Sequence, residues 1–185
     1  MLYPIPIRLR FPVFVISLLL TAVVAWLMAA PLTTEHAPFG IVSLELARYP
    51  EVAQRVIGSW SADQQAQAAA GVGWDFVWLL CYSTSLSLAC VWAAEKLGRF
   101  DFALKIGYFL AWLCWLAALL DGVENIALLR MLGGDTGPPW PALSYWAALV
   151  KFDIVILGFL YVLAGAAMWL VLGLSRRSGN VRRET

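Results

Sequence analysis

Four long apolar runs, set apart by shorter polar stretches, dominate the pattern of the chain. They cover about 11–30, 74–94, 106–128 and 150–174; the first carries no charge, and the fourth is uncharged from Ile154 to Ser175 with a helical lead-in from Leu143. Crossing a hydrocarbon core of about 30 Å takes about 20 residues at 1.5 Å each, so every run is long enough to span. Backbone groups in lipid must be satisfied internally, which makes each run a helix. The pattern predicts an all-α polytopic membrane protein: one four-transmembrane-helix antiparallel bundle over 1–175, followed by a basic tail over 176–185. No internal repeat is evident, so the inverted-repeat plan of many secondary transporters is not supported.

Between the first two runs, residues 31–71 are too polar to cross. Pro50 suits the first turn of a helix running to about Ile57 and ending near Gly58. Ser61 in "SADQQAQAAA" is placed as an N-cap for a polar helix that leads into the second run. "FGIVSLELARY" is apolar at Ile41, Val42, Leu44 and Leu46 and is expected at the membrane surface.

Composition supports this class. The chain is 62% hydrophobic and 14% charged, against roughly 45–50% and about 25% in soluble domains. Ten Trp suit interfacial anchoring. The first run has Arg8 and Arg10 before it and Ala29–Ala30 after it, as a signal peptide could, but it exceeds the usual 7–15 residues and reads as a retained span. Cys81, Cys90 and Cys114 lie within apolar runs and read as buried small side chains. With a single histidine, His36, no metal site is implied, and nothing points to a cofactor or to nucleic acid.

The basic residues set an orientation. Arg8, Arg10, Lys96, Arg99, Lys105, Arg176, Arg177, Arg182 and Arg183 fall on one side, against Arg48, Arg55, Arg130 and the borderline Lys151. Both termini are therefore expected in the cytoplasm of a plasma (inner) membrane, with 31–71 and the 133–141 loop outside. The tail "SRRSGNVRRET" reads as a disordered segment contacting anionic lipid.

The polar residues inside the runs carry the candidate chemistry. Asp121, Glu124 and Asn125 are three and four apart and share one helical face with Ala118, Ala117, Cys114, Ala111 and Gly107, a stripe of small residues suited to close helix contact. Asp75 shares a face with Tyr82, Ala89 and Ala93; Lys151 aligns with Gly158 and Gly165. Asp153 falls roughly 200° from Lys151 and is expected at the interface, and Tyr161 could turn its hydroxyl inward. Asp121 is placed roughly 22 Å from the cytoplasmic ends and Asn125 and Asp75 roughly 28 Å, with Lys151 at the outer interface. A shallow outward pocket results, not a pore.

Three acids, Asp75, Asp121 and Glu124, then face one inward cation, Lys151, with Glu45, Arg48 and Arg55 as further contributors from the outer segment. Function is expected from this cluster as a binding site for a membrane lipid or amphipathic small molecule, lined by Trp74, Trp78, Trp115, Trp140 and Trp146, or from assembly with another membrane protein or a second copy. The alternatives are an enzyme on a lipid-linked substrate with Asp121 and Glu124 as an acid–base pair, towards which no nucleophile motif points, and a proton- or cation-coupled transporter. The structural reading is a polar clasp between helices. A small four-helix membrane architecture with acids and Trp in apolar helices resembles the sterol-isomerase and sigma-2-receptor-like family; the likeness is architectural and assigns no residue a role.

Overall fold

The computed structural model describes residues 3–97 and 101–181, and side chains as far as 171. Six helices follow in order: α1 (Ile7–Met28), α2 (Ile41–Glu45), α3 (Pro50–Gly58), α4 (Ala62–Lys96), α5 (Asp101–Leu132) and α6 (Trp140–Val181). The described residues contain no strand. Four of these helices are long and apolar enough to span a membrane, and they pack as a four-helix bundle. Arg99, Arg182 and Arg183 lie outside the described residues, as do the side chains of Arg176 and Arg177.

Helix α4 is the centre of the bundle, packing against α1, α5 and α6, while α5 also packs along α6. Its 35 residues reach about 52 Å at 1.5 Å per residue, well beyond a hydrocarbon core. The surplus lies at its start. Ser61 caps it there, accepting a hydrogen bond from the Gln64 backbone while the Gln64 side chain accepts from the Ser61 backbone. This polar first part of α4 joins α2, α3 and the end of α5 in a headpiece with its own core, in which Leu44, Ala53, Val56, Trp60, Leu128 and Met131 are buried. Trp60 ties the loop down by donating its indole N–H to the Leu32 carbonyl at 2.7 Å. The stretch around Ile41 is therefore not simply laid on a membrane surface. It folds as one short helix onto α5 and α6, and Leu44 becomes core.

Helix ends differ from the apolar runs. Helix α1 begins at Ile7, a turn earlier than expected, so that Arg10 reaches Glu95 of α4 at 2.6 Å. Helix α6 begins at Trp140 with Pro141 in its first turn, where a missing N–H is harmless, and continues to Val181 instead of giving way to a disordered tail at 176.

The small-residue faces do what lipid-embedded packing requires. A Cβ placed on Gly107 would lie 2.5 Å from Ala94 Cβ and from the Tyr161 hydroxyl, and one on Gly165 would lie 2.7 Å from Ala93 Cβ. Tyr161 does turn inward, donating to the Ala103 carbonyl at 2.8 Å. Cys81, Cys90 and Cys114 are buried and unbridged. The opposite faces, with Phe109, Leu119, Ile156 and Leu160, are exposed and apolar, as a lipid-facing surface is.

Candidate functional site

The site is built on the face of α5 that the i, i+3, i+4 spacing defines. Asp121, Glu124 and Asn125 project together into the bundle and are 1%, 0% and 2% exposed. Lys151 of α6 meets them: its Nζ stands 2.8 Å from Asp121 Oδ1 and 2.7 Å from Glu124 Oε2. The contact to Asp121 is a hydrogen bond; that to Glu124 is an ion pair without hydrogen-bond alignment, so Glu124 Oε2 still has no donor. From the same face of α5, Asn125 donates its amide to Asp75 Oδ2 of α4 at 2.7 Å. One face of one helix thus joins three helices through polar contacts.

With α6 starting at Trp140, Lys151 lies eleven residues, about 16 Å, inside the helix and is 6% exposed. Its ammonium lies over the Phe152 ring, 4.8 Å from Nζ to the centroid.

The headpiece supplies a fourth acid. Glu45, the last residue of α2, is buried against the cluster, and Ser144 of α6 donates to its backbone carbonyl at 3.3 Å. Burial raises the pKa of the Glu45 carboxyl above its ordinary value; Lys151 and the neighbouring Glu124 side chain pull it part of the way back, and Asp121 pushes it further up. The other two candidates from that segment do not join. Arg48 is exposed, stacked among Tyr49, Tyr145 and Trp146, and Arg55 is exposed and bonds the Glu51 carbonyl. Both carry a charge that solvent can hydrate, so nothing drives them inward.

Four carboxyls therefore gather around one ammonium. Several of their oxygens are buried without a hydrogen-bond partner: Glu45 Oε2, Asp121 Oδ2 and both oxygens of Glu124, together with the Tyr82 hydroxyl. An unsatisfied buried polar group typically costs about 1–3 kcal/mol, and natural cores contain few of them.

Two hollows adjoin the cluster. A small one of about 50 Å³ lies under the headpiece, with Glu45, Gln67, Asp75 and Asn125 in its wall. The larger, of about 490 Å³, is an apolar cleft where α1 and α6 diverge over α4, lined by Phe14, Leu86, Phe152, Phe159 and Val162. Tyr82 and Lys151 form its polar end. A further 320 Å³ hollow, sharing Phe14, Ala89 and Val162 with it, prolongs the same groove towards Lys96. The mouth is lateral, between two helices, in place of the expected shallow opening at one end of the bundle. Of the five Trp expected to line a pocket, Trp78 lines the lateral cleft and Trp146 a separate surface hollow beside Arg48; Trp74 is half exposed, Trp140 donates to Asp135, and Trp115 lines neither hollow beside the cluster.

The sequence offered a partial signal for Glu45 and none for the cleft. An acid inside an apolar stretch is conspicuous, but its approach to α5 depends on the fold of the loop. The cleft exists because α1 and α6, far apart in the chain, both rest on α4.

No protein-family model, no curated protein and no solved structure matches this chain.

Proposed function

We propose that the protein binds a membrane lipid or amphipathic small molecule through the lateral cleft, with an amine or hydroxyl head at the acidic cluster and an apolar chain along the groove between α1 and α6. The observation that carries this reading is the junction of two unlike surfaces. An apolar cleft of about 490 Å³ ends at Tyr82 and Lys151, beside four carboxyls served by one lysine. The Glu45 and Asp75 carboxyls border the small hollow under the headpiece, and a cleft of this size and apolarity suits a small amphipath.

A polar clasp between α5 and α6 is the second reading, favoured by the 2.8 and 2.7 Å approaches of Lys151. A clasp needs one acid, or two; it has no use for Glu45 or for the Tyr82 hydroxyl. We place the protein in a plasma (inner) membrane with both termini in the cytoplasm, on the excess of Lys and Arg there. Glu51, exposed in α3, would then react as Glu51→Cys with an impermeant thiol reagent on intact cells.

Binding is tested in lipid nanodiscs with dodecylamine, dodecanol and dodecanoate as probes, read by thermal midpoint and native mass spectrometry. Dodecylamine should be retained and should raise the midpoint more than dodecanoate, and Glu45→Gln and Tyr82→Phe should each reduce that rise. A response that ignores the head group, or is the same in both variants, would leave the clasp as the better account.

A further inference from the structure

We infer that the face of α6 centred on Asp153 docks a transmembrane helix of another protein, one that brings a lysine or arginine to the level of Asp153. Asp153 is exposed, and among the described residues it takes part in no ion pair or hydrogen bond. Its depth follows from the packing. Lys151 is level with Asp121 through their 2.8 Å contact, and α6 runs antiparallel to α5, as the Tyr161–Ala103 bond further along confirms. Asp153, two residues on, is therefore level with about residue 119 of α5. The innermost exposed charges of α5 are Lys105 and Arg130, with the exposed apolar side chains Phe109, Trp112, Leu119 and Ile126 between them. At 1.5 Å per residue Asp153 is about 16 Å from the level of Arg130 and about 21 Å from that of Lys105. It stands inside the apolar stretch between those two charges, nearer its headpiece end.

No described residue relieves it there. Lys151 lies about 200° around the helix and is committed to Asp121 and Glu124. An aspartate is too short to reach a head group by extending along the helix, as lysine and arginine do. Its helical neighbours on the same face, Trp146, Val150, Ile156, Leu157 and Leu160, are all exposed and apolar, so they hold no water around it. Ionisable groups at such depth pair with a partner or face a wet cavity, and Asp153 does neither within this chain. A cation on a neighbouring helix complements it; a second copy does not, because every exposed basic side chain described here lies near a membrane end. This surface is separate from the cleft, whose wall takes Phe152 and Val155 on the other side of α6.

The test uses synthetic transmembrane peptides in phosphatidylcholine vesicles: a polyleucine helix with one central lysine, and the same helix with leucine there. Energy transfer from the donor-labelled protein should be several-fold higher to the lysine peptide, fall to the leucine level in Asp153→Asn and survive in Asp153→Glu. Asp153→Asn keeps size and shape on an exposed face, and unchanged helicity of the variant makes the comparison fair. Equal transfer to both peptides, or no loss in Asp153→Asn, would overturn the inference. Transfer between two copies of the protein that depends on Asp153 would also overturn it, by placing a second copy on this face.

Discussion

Lys151 Nζ lies 2.8 Å from Asp121 Oδ1, joining α6 to α5 on their inward faces. Both partners are nearly inaccessible, so the bond is made in a medium of low dielectric, where attraction and desolvation are both large. Glu124 shares the same ammonium, and the pair cannot be weighed without it.

This sharing makes the two ends of the bond unequal. Lys151→Met leaves Asp121, Glu124 and Glu45 without a cation and should destabilise by about 3–5 kcal/mol, the usual effect of stranding a buried charge. Asp121→Asn leaves Lys151 paired with Glu124 and should cost less. Adding Asp121→Asn to Lys151→Met should recover part of the loss, because it removes one of the stranded carboxyls. Denaturant unfolding in detergent for the two single variants and the double variant checks this. Equal losses that simply add would mean that the cluster is not electrostatically coupled.

The glycine contacts rank the helix faces. Gly165 and Gly107 meet Ala93, Ala94 and Tyr161, where a new Cβ would fall 2.5–2.8 Å from existing atoms, whereas Gly158 faces the flexible end of Leu86 at 3.3 Å. Gly165→Ala and Gly107→Ala should each lower stability by about 1–3 kcal/mol, the range for overpacking, and Gly158→Ala by visibly less. Thermal midpoints of the purified variants decide it. A Gly158→Ala as damaging as Gly165→Ala would place the closest approach of α6 elsewhere.

Much of this fold was legible because lipid imposes strict rules on sequence. The spans, the Ser61 cap, the Pro50 helix and the inward stripe from Gly107 to Glu124 all follow from periodicity and side-chain chemistry. Helix length was less legible: hydropathy marks where a helix crosses the membrane, and α4 and α5 continue past that into the headpiece. The start of α6 lies three residues before the lead-in read from Leu143, where "PPWP" places Pro141 in a first helical turn that accepts it. Of the site, the α5 triad, Asp75 and Lys151 were readable as inward polar groups. Their exact partners, the commitment of Glu45 and the lateral cleft depend on how distant segments pack, which no local pattern encodes.

Glu45 gives the cluster a pH dependence of definite sign. Burial raises its carboxyl pKa in the folded protein, so over the window above the ordinary glutamate value the folded state holds a proton that the unfolded state has lost. Stability then falls as pH rises through that window, since the native state binds more protons there. Below the ordinary value both states are protonated and the penalty vanishes. Glu45→Gln cannot ionise, so it should lose less stability than the wild type between about pH 4 and about pH 8, with the two converging at the acidic end. The difference between the two curves reports Glu45 together with its interaction with Glu124, Asp121 and Lys151. Thermal midpoints across that range in one detergent supply the measurement. A wild type that gains on the variant as pH rises would show that Lys151 holds Glu45 as a carboxylate and that burial is the weaker effect.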